Sequence, residues 1–320
     1  MSTSPETPAV FVTSATGSVG SALCRQLRDL GWGVRATTQN LDSPSAKALQ
    51  EVGVELTLGD WDNEEALRAG LTGCDKLFVC LLPDLQDFNK VPNRAKNIAA
   101  IAKAAGVRQV VGLTTLGAFA VEEGSEPPSA HAPGPFFVQH LHAKKRVEQA
   151  LIDGGFDHWT ILRPGFFMAN FLEPKIHMGY TEIRENGTWT NSMTASSPLG
   201  LVDHVDIARF AVATFQNPDT FHGRRLGVVS EEPLVQEALD TLAAAIGDGR
   251  SLKANFLSDE ECAKAQAEGG WRFFSSEPCV RYMADYTNLE ELNKLLPGGL
   301  TTFKEFLERE KEGVKETYGV

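Results

Sequence analysis

The sequence predicts an α/β fold with a doubly wound parallel sheet, and two observations support this prediction. First, short apolar runs typical of strands alternate with helix-like runs over the first third of the chain, the pattern of a parallel sheet with helices on both faces. Second, these runs are rich in Val and Leu, as strands buried on both sides require. The strand-like runs begin at Val10, Gly33, Val54, Lys76 and Gln109.

Glycine and proline mark the boundaries of these elements. Gly31, Gly53 and Gly106 each follow a helix-like run, at the position where a left-handed C-terminal cap is favoured. An acidic and proline-rich segment, residues 122–134, interrupts the alternation. It predicts a long surface loop of the kind that often covers a site.

We predict two domains. The first, residues 1–165, contains a further strand at 158–162 and receives return segments near 203–216 and 226–248. The second, residues 166–320, is expected to be a smaller, discontinuous α+β domain for a substrate or a partner.

Composition excludes several classes of function. The 320 residues carry a net charge of −12, which disfavours direct binding to nucleic acid or to an anionic membrane. The longest apolar run, 77–82, is too short to span a bilayer, and the first residues lack a signal-peptide pattern. The five cysteines are scattered without a CxxC pair, so we expect reduced thiols and no metal. These features predict a cytoplasmic protein; a nuclear location, a protein partner and a homodimer stay open.

The segment from Val10 to Gly20, VFVTSATGSVG, is the most informative part of the chain. An apolar strand enters a turn of small residues with Gly17 and Gly20 three apart, and a helix follows. Small residues there let a pyrophosphate reach the N–H groups of a helix N-terminus, so the segment predicts a dinucleotide site in a Rossmann-type sheet. Ser14 departs from the usual glycine of this turn. The predicted contacts are Thr13, Ala15, Thr16, Gly17, Ser18 and Val19, with hydroxyl donation from Thr13 and Ser18.

The residues after the second strand favour NADP(H) over NAD(H) as the cofactor. NAD-binding proteins tend to place a carboxylate there for the ribose hydroxyls, whereas this chain has Thr38, Gln39 and Asn40. No arginine stands at Gln39 to bind the 2′-phosphate. We therefore expect these three residues to hold the phosphate, with Lys47 reaching back toward them.

Three further motifs resemble the NmrA-like family of atypical short-chain dehydrogenase/reductase proteins, over nearly the whole chain. Residues 59–62 resemble the G-D-x-D that follows the third strand of the family. Residues 140–148 resemble its H-x-x-x-K-x-x-V-E helix, and residues 160–170 its T-x-x-R-P-x-x-F-x-x-N segment.

The resemblance implies roles for several residues. Asp60, with Trp61 beside it, would bind the adenine end, although an Asp at this place also caps helices. Lys144 would bond the nicotinamide ribose; the alternative is a solvated lysine. The remaining cofactor contacts implied are Leu81, Leu82, Pro83, Thr114, Thr115, Pro164, Phe166 and Phe167.

The clearest departure from the superfamily is His140, which stands four residues before Lys144 where other members carry the tyrosine that donates a proton. A histidine can act as a general acid near neutral pH, so His140 and Lys144 are the predicted catalytic residues. A histidine here also resembles the redox sensors of the family, which do no chemistry.

The second half of the chain is rich in aromatic residues, which predicts an apolar pocket. The predicted pocket residues are Phe136, Phe137, Phe167, Asn170 and Trp271. The favoured function is an NADPH-dependent reductase of a small, mostly apolar or aromatic carbonyl, imine or enone. The alternatives are an NADP(H)-sensing regulator without catalysis and a redox-neutral enzyme that uses the cofactor as a scaffold.

Overall fold

The computed structural model describes residues 7–122, 135–265, 267, 280–296 and 298–320. Its strands are β1 Ala9–Val12, β2 Gly33–Thr38, β3 Glu55–Leu58, β4 Lys76–Cys80, β5 Gln109–Leu113, β6 His158–Pro164, β7 Phe166–Phe167, β8 Thr188–Asn191, β9 Leu201–Val202, β10 Arg224–Val228 and β11 Lys253–Phe256. Its α-helices are α1 Ser18–Asp29, α2 Pro44–Glu51, α3 Glu64–Leu71, α4 Lys90–Ala104, α5 Pro135–Ile152, α6 Thr181–Asn186, α7 His204–Gln216, α8 Pro218–Phe221, α9 Val235–Ile246, α10 Asp259–Ala265, α11 Leu289–Leu295, α12 Phe303–Arg309 and α13 Lys311–Tyr318.

The central sheet has seven strands in the order β10-β6-β5-β4-β1-β2-β3. The pairs from β3 through β1 and β4 to β6 are parallel. The chain order reverses between β1 and β4, and ligands of such sheets bind outside the carboxyl ends of the strands at this reversal. The predicted Rossmann-type α/β fold is confirmed.

Local sequence explains where the helices of this sheet begin and end. The side chains of Ser43 and Asn63 accept hydrogen bonds from the first turns of α2 and α3. Gly31, Gly53 and Gly106 have φ of +75°, +84° and +96°, which confirms the predicted left-handed caps.

The core between the strands and α3, α4 and α5 is apolar and fully buried. Each large side chain buried here contributes about 1.5–3 kcal/mol to folding. Its members include Phe11, Leu67, Leu71, Leu77, Val79, Ile98, Val110, Val147, Leu151 and Ile161. This packing fixes the carboxyl ends of β1, β4 and β5, from which the candidate site is built.

The described chain separates into two compact units, each made of three segments. Unit 1 comprises Met1–Thr115, His142–Arg163 and Ile207–Leu226. Unit 2 comprises Leu116–Leu141, Pro164–Asp206 and Gly227–Val320, and it is about as long as unit 1. The predicted boundaries differ from these units, and the two largest differences are as follows. Residues 116–141 belong to unit 2, and so does 227–248, because α9 packs against α12, α13 and β11.

Two buried aspartates at the start of α7 hold the C-terminal part of unit 2. Asp203 accepts two hydrogen bonds from the guanidinium of Arg309, at 2.6 and 2.9 Å. Asp206 accepts from the Ser230 hydroxyl at 2.8 Å and from the backbone N–H and hydroxyl of Thr301 at 2.8 and 3.1 Å. Asp203 also accepts from the N–H of Val205 at the start of α7, as acidic residues often do at helix starts.

We expect Asp206→Ala to lower the free energy of unfolding by about 2–4 kcal/mol, because it leaves buried donors without an acceptor. Urea unfolding followed by circular dichroism measures this loss. The matched control is Glu290→Gln, which removes an exposed Glu–Lys pair on α11 and should change stability by less than about 0.5 kcal/mol. Equal stability of the two variants would contradict the anchoring role of Asp206.

Candidate active site

Ser14 makes the tight turn after β1 in a left-handed conformation, with φ of +50°. Such a conformation costs a residue with a Cβ about 1–2 kcal/mol. The Ser14 hydroxyl offsets part of this cost by donating to the carbonyl oxygen of Cys80 at 2.7 Å, and the N–H of Gly17 donates to the Ser14 carbonyl at 2.9 Å. The turn is therefore formed without the usual glycine.

Thr13 has a different role from the predicted hydroxyl donation to phosphate. Its buried hydroxyl donates to the Cys80 carbonyl at 3.0 Å and accepts from the Cys80 N–H at 2.7 Å. Both bonds join β1 to β4 at the reversal of the sheet. Thr13 thus fixes the spacing of the two strands at the edge where the turn begins.

The two glycines of the turn are required for different reasons. A Cβ on Gly20 would stand 2.2 Å from the Ser14 carbonyl oxygen, so packing of α1 demands glycine there. A Cβ on Gly17 would meet one described atom within 4 Å, the Ser14 carbonyl oxygen at 3.2 Å. Gly17 has ordinary φ and ψ and caps α1 without a side-chain bond. Folding therefore demands less of Gly17 than of Gly20, because one tight backbone contact alone opposes a side chain there. Close approach of a ligand would be a further reason for a glycine.

The exposure of the other turn residues fits this assignment. Thr16, Gly17 and Ser18 are exposed at the N-terminus of α1, where backbone N–H groups and the helix dipole favour an anion. Ala15 and Val19 are buried and pack beneath the turn.

The turn after β2 is held by its own polar groups. The Thr38 hydroxyl and the Asn40 backbone bond each other, and the Asn40 side chain accepts from the N–H of Asp42 at 2.9 Å. Gln39 is exposed at the tip. Lys47, predicted to reach back to this turn, lies 3.4 Å from the Asp42 carboxylate. The ammonium of Lys47, which was predicted to help hold the 2′-phosphate, is therefore paired with the carboxylate of Asp42.

Asp60, after β3, uses one carboxylate oxygen for its own turn. This Oδ1 accepts from the N–H groups of Asp62 and Asn63 at 2.9 and 3.1 Å, in the turn before α3, while Asn63 caps that helix. Next to it, Arg94 of α4 pairs with both carboxylate oxygens of Asp62 and lies 5.7 Å over the ring of Trp61. The bond from Arg94 lowers the pKa of the Asp62 carboxyl. Trp61 is thereby fixed at this edge.

Lys144 of α5 lies at the carboxyl end of β4. Its Nζ donates to the carbonyl oxygen of Leu81 at 3.1 Å. Burial lowers the pKa of this ammonium, while the thiol of Cys80 opposes that shift. Leu81 is buried, and Leu82 and Pro83 are exposed beside it. Lys144 is therefore an anchored cation, in contrast to the solvated lysine that was the alternative.

Thr114, at the end of β5, donates its hydroxyl to the carboxylate of Glu148 at 2.8 Å. Glu148 also pairs with Arg163, from Nε at 2.9 Å and from Nη2 at 2.7 Å, and all three side chains are buried. The Thr114 hydroxyl thus serves this network. Thr115, the next residue, is half-buried.

The candidate residues of unit 2 divide into core and partly exposed groups. Phe166 and Pro164 are buried. Phe166 packs in an aromatic cluster with Phe171, Tyr180 and Trp189. Phe167 is half-buried, with the ammonium of Lys175 4.9 Å from its ring centre, and Asn170 is half-buried as well. Phe167 and Asn170 stay candidates for ligand contact within this unit.

The predicted proton donor lies on α5. His140 is half-buried, and its ring centre is 5.7 Å from that of Phe137, which is also half-buried. Of the other predicted pocket residues, Phe136 is described by its backbone alone, and Trp271 lies outside the described residues.

Sequence reasoning missed three residues that organise this site. Glu148 and Arg163 belong to the motifs at 140–148 and 160–170. Their opposite charges could have indicated an ion pair between the two motifs. Arg94 gave no signal, because its partner Asp62 is 32 residues away. Within the described ranges there is no group of three or more metal-ligating side chains, and no helix there is long and apolar enough to cross a membrane.

Comparison with known proteins decides the family. The model of the NmrA-like family matches residues 6–307. The chain belongs to the NmrA-like family. It is 28% identical over 263 residues to an NAD(P)H azoreductase of Xenophilus azovorans. This match covers 82% of this chain and 81% of that protein. It is 30% identical over 244 residues to a (4-alkanoyl-5-oxo-2,5-dihydrofuran-3-yl)methyl phosphate reductase of Streptomyces griseus, with coverage of 76% and 75%.

A solved structure with a similar fold is also known. The negative transcriptional regulator NmrA, in complex with NADP, superposes with a TM-score of 0.71 at 19% identity, covering 96% of this chain and 97% of that one. The family that the motifs predict is thus confirmed.

The Ser14 turn generates a stability test. Ser14→Ala keeps the strained φ and loses the bond to Cys80, so we expect it to lower the free energy of unfolding by about 1 kcal/mol. Ser14→Gly loses the same bond but relieves the strain. Its free energy of unfolding should therefore be no more than about 0.5 kcal/mol below that of the wild type. Urea unfolding of the three proteins measures both effects. Identical stability of the Ala and Gly variants would show that this conformation carries no strain.

Proposed function

We propose that this protein is an NADP(H)-dependent reductase of a small, mostly apolar or aromatic carbonyl, imine or enone. One observation carries the proposal: adjacent carbonyls at the end of β4 receive the Ser14 hydroxyl of the glycine turn and the Lys144 ammonium. An anion-binding helix N-terminus and an anchored cation therefore share one edge of the sheet in unit 1. A nicotinamide dinucleotide can use both, the helix N-terminus for its pyrophosphate and the lysine as a hydrogen-bond donor to its ribose.

The residues present fit such a cofactor. Gly17 is exposed and, as the N-cap of α1, offers no side chain that would occupy the N-terminus of the helix. When bound, the nicotinamide supplies a hydride to the carbon of the substrate. Lys144 would hold the ribose hydroxyls and fix the ring, and His140 or water would give a proton to the oxygen or nitrogen. The reductases to which the chain is similar support this reaction class.

A second function is favoured by one observation, the histidine at residue 140. If neither His140 nor water gives a proton and no hydride is transferred, the protein is an NADP(H)-sensing regulator, as the superposed transcriptional regulator also suggests. The remaining alternative is a redox-neutral enzyme that keeps the cofactor as a scaffold. These functions differ in whether NADPH is consumed and in whether nucleotide changes assembly.

We expect Lys144→Met to weaken NADPH binding by about tenfold to a hundredfold, because a charged hydrogen bond of about 1.5–3 kcal/mol is lost. The lowered pKa of Lys144 gives a second expectation. As pH rises through that pKa the ammonium loses its proton, so NADPH affinity of the wild type should fall, whereas that of Lys144→Met should not. Calorimetric titration between neutral pH and pH 10 measures both, with Lys96→Met, at an exposed site on α4, as the control.

The same proteins test the reaction. NADPH absorbance is followed with a panel of quinones, enones and imines, and light scattering is recorded with and without nucleotide. We expect turnover in the wild type, and in His140→Phe a loss of turnover with unchanged NADPH affinity. Absence of NADPH consumption together with a nucleotide-dependent change in assembly would contradict the reductase function and favour the regulator function.

Cofactor choice should depend on the turn after β2. We expect Gln39→Arg to tighten NADPH at least about tenfold and NADH less than twofold, because a guanidinium adds a charge-assisted bond to the 2′-phosphate alone. The control Gln50→Arg adds the same charge at an exposed position near the end of α2. Equal tightening of both cofactors by Gln39→Arg would place Gln39 away from the phosphate.

A further inference from the structure

The loop from Leu81 to Asn89, between β4 and α4, exposes two large apolar side chains. Leu82 is 66% exposed and Leu85 is 58% exposed. Single exposed apolar residues are ordinary on protein surfaces. These two lie within four residues of each other in a loop at the carboxyl end of β4, where ligands of this fold bind.

Side-chain bonds hold the middle of this loop in one conformation. One carboxylate oxygen of Asp84 accepts from the N–H groups of Gln86 and Asp87, both at 3.0 Å. These bonds lower the pKa of the Asp84 carboxyl. Asp87 in turn accepts from the N–H of Asn89 at 2.8 Å, and Lys90 lies 3.4 Å from Asp84. The exposed leucines therefore do not belong to a loose segment.

Helix α5 fixes both ends of the loop. Lys144 bonds the carbonyl of Leu81 at the first end. Arg146, two residues later, donates to the Asn89 side chain at 2.7 Å and to the Phe88 carbonyl at 2.9 Å at the other end. All of these residues belong to unit 1. The element that carries the cofactor lysine thus also determines where the exposed leucines stand.

We propose that Leu82 and Leu85 form the apolar contact surface for the substrate, and that Arg146 and Asp84 are positioning residues for it. The inference rests on the proposed reductase function. It names the substrate class further: a planar apolar ring system with area beyond the reacting carbonyl, because burial of leucine against such a ring favours binding and a small polar carbonyl gains nothing from it.

The test compares two quinones of different apolar area, 1,4-benzoquinone and 2-methyl-1,4-naphthoquinone. Binding to the NADP⁺-loaded protein is measured by calorimetry, and turnover is measured with NADPH. In Leu85→Ala we expect the naphthoquinone Kd and KM to rise about tenfold. The benzoquinone values and the NADPH affinity should change less than twofold. Leu30→Ala removes a leucine that is 45% exposed at the C-terminal end of α1 and serves as the matched control.

The positioning role needs its own measurement. Arg146→Gln should raise the naphthoquinone KM with little change in kcat, and it should speed hydrogen exchange of the amides at residues 86–89. A purely structural role would lower the amount of folded protein without a dependence on quinone size. Arg146→Lys keeps the charge but loses the paired bonds, so it should lie between wild type and Arg146→Gln.

The outcomes separate the two proposals. Absence of turnover with both quinones and with the enones and imines of the panel contradicts the reductase, while Leu85 is still judged by the naphthoquinone Kd. Normal turnover with the same naphthoquinone Kd and KM in Leu85→Ala and wild type overturns the loop proposal alone. A wild-type protein that reduces benzoquinone but neither binds nor reduces the naphthoquinone also overturns the loop proposal alone.

Discussion

The candidate site depends on two adjacent carbonyl groups at the end of β4. The carbonyl of Cys80 receives the hydroxyls of Thr13 and Ser14, and the carbonyl of Leu81 receives the Lys144 ammonium. The first set of bonds fixes the turn that leads into α1. The last one fixes α5 against the same strand end. Because the two carbonyls belong to consecutive residues, the distance between the helix N-terminus and the lysine is set by the backbone of one strand. A ligand with an anionic group and a ribose can therefore meet a preformed pair of partners.

The buried pair of Glu148 and Arg163 constrains the chemistry available at the end of β5. Removing one partner of such a pair costs about 3–5 kcal/mol, since the other charge stays buried. The hydroxyl of Thr114 donates its proton to the same carboxylate of Glu148, so this proton already has an acceptor. The residue at the end of β5 is then a structural donor. Proton transfer in the proposed reaction is left to His140 or to water, and this makes residue 140 the position on which the choice between enzyme and regulator depends.

Much of this fold could be predicted from local sequence, but part of the site could not. The strand and helix alternation and the caps at Gly31, Gly53 and Gly106 depend on neighbours within one turn, and the structure agrees with them. Ser14 departs from the glycine motif, and local sequence does not show what compensates for it, because its hydrogen-bond partner is 66 residues away. The unit boundary after Leu226 depends on packing of α9 with helices near the C-terminus, which periodicity does not reveal. The bonds of Thr13 to Cys80 could not be predicted either, since a hydroxyl that joins two strands and one that faces a phosphate have the same sequence signal.

The charges of the site bear on how its two specificities are divided. The chain is acidic overall, with a net charge of −12, so an anionic dinucleotide must be attracted by local groups. Those described at the site are the N-terminus of α1 and Lys144, and neither can distinguish a 2′-phosphate from a hydroxyl at the far ribose. That distinction falls to the turn at Gln39, where the cation of Lys47 is shared with Asp42. Discrimination between NADPH and NADH by this turn should then be small, while the loop after β4 offers apolar area and no charge at Leu82 and Leu85. Under the proposed function, cofactor choice and substrate choice reside in separate loops, so that either can change without disturbing the carbonyl pair that both depend on.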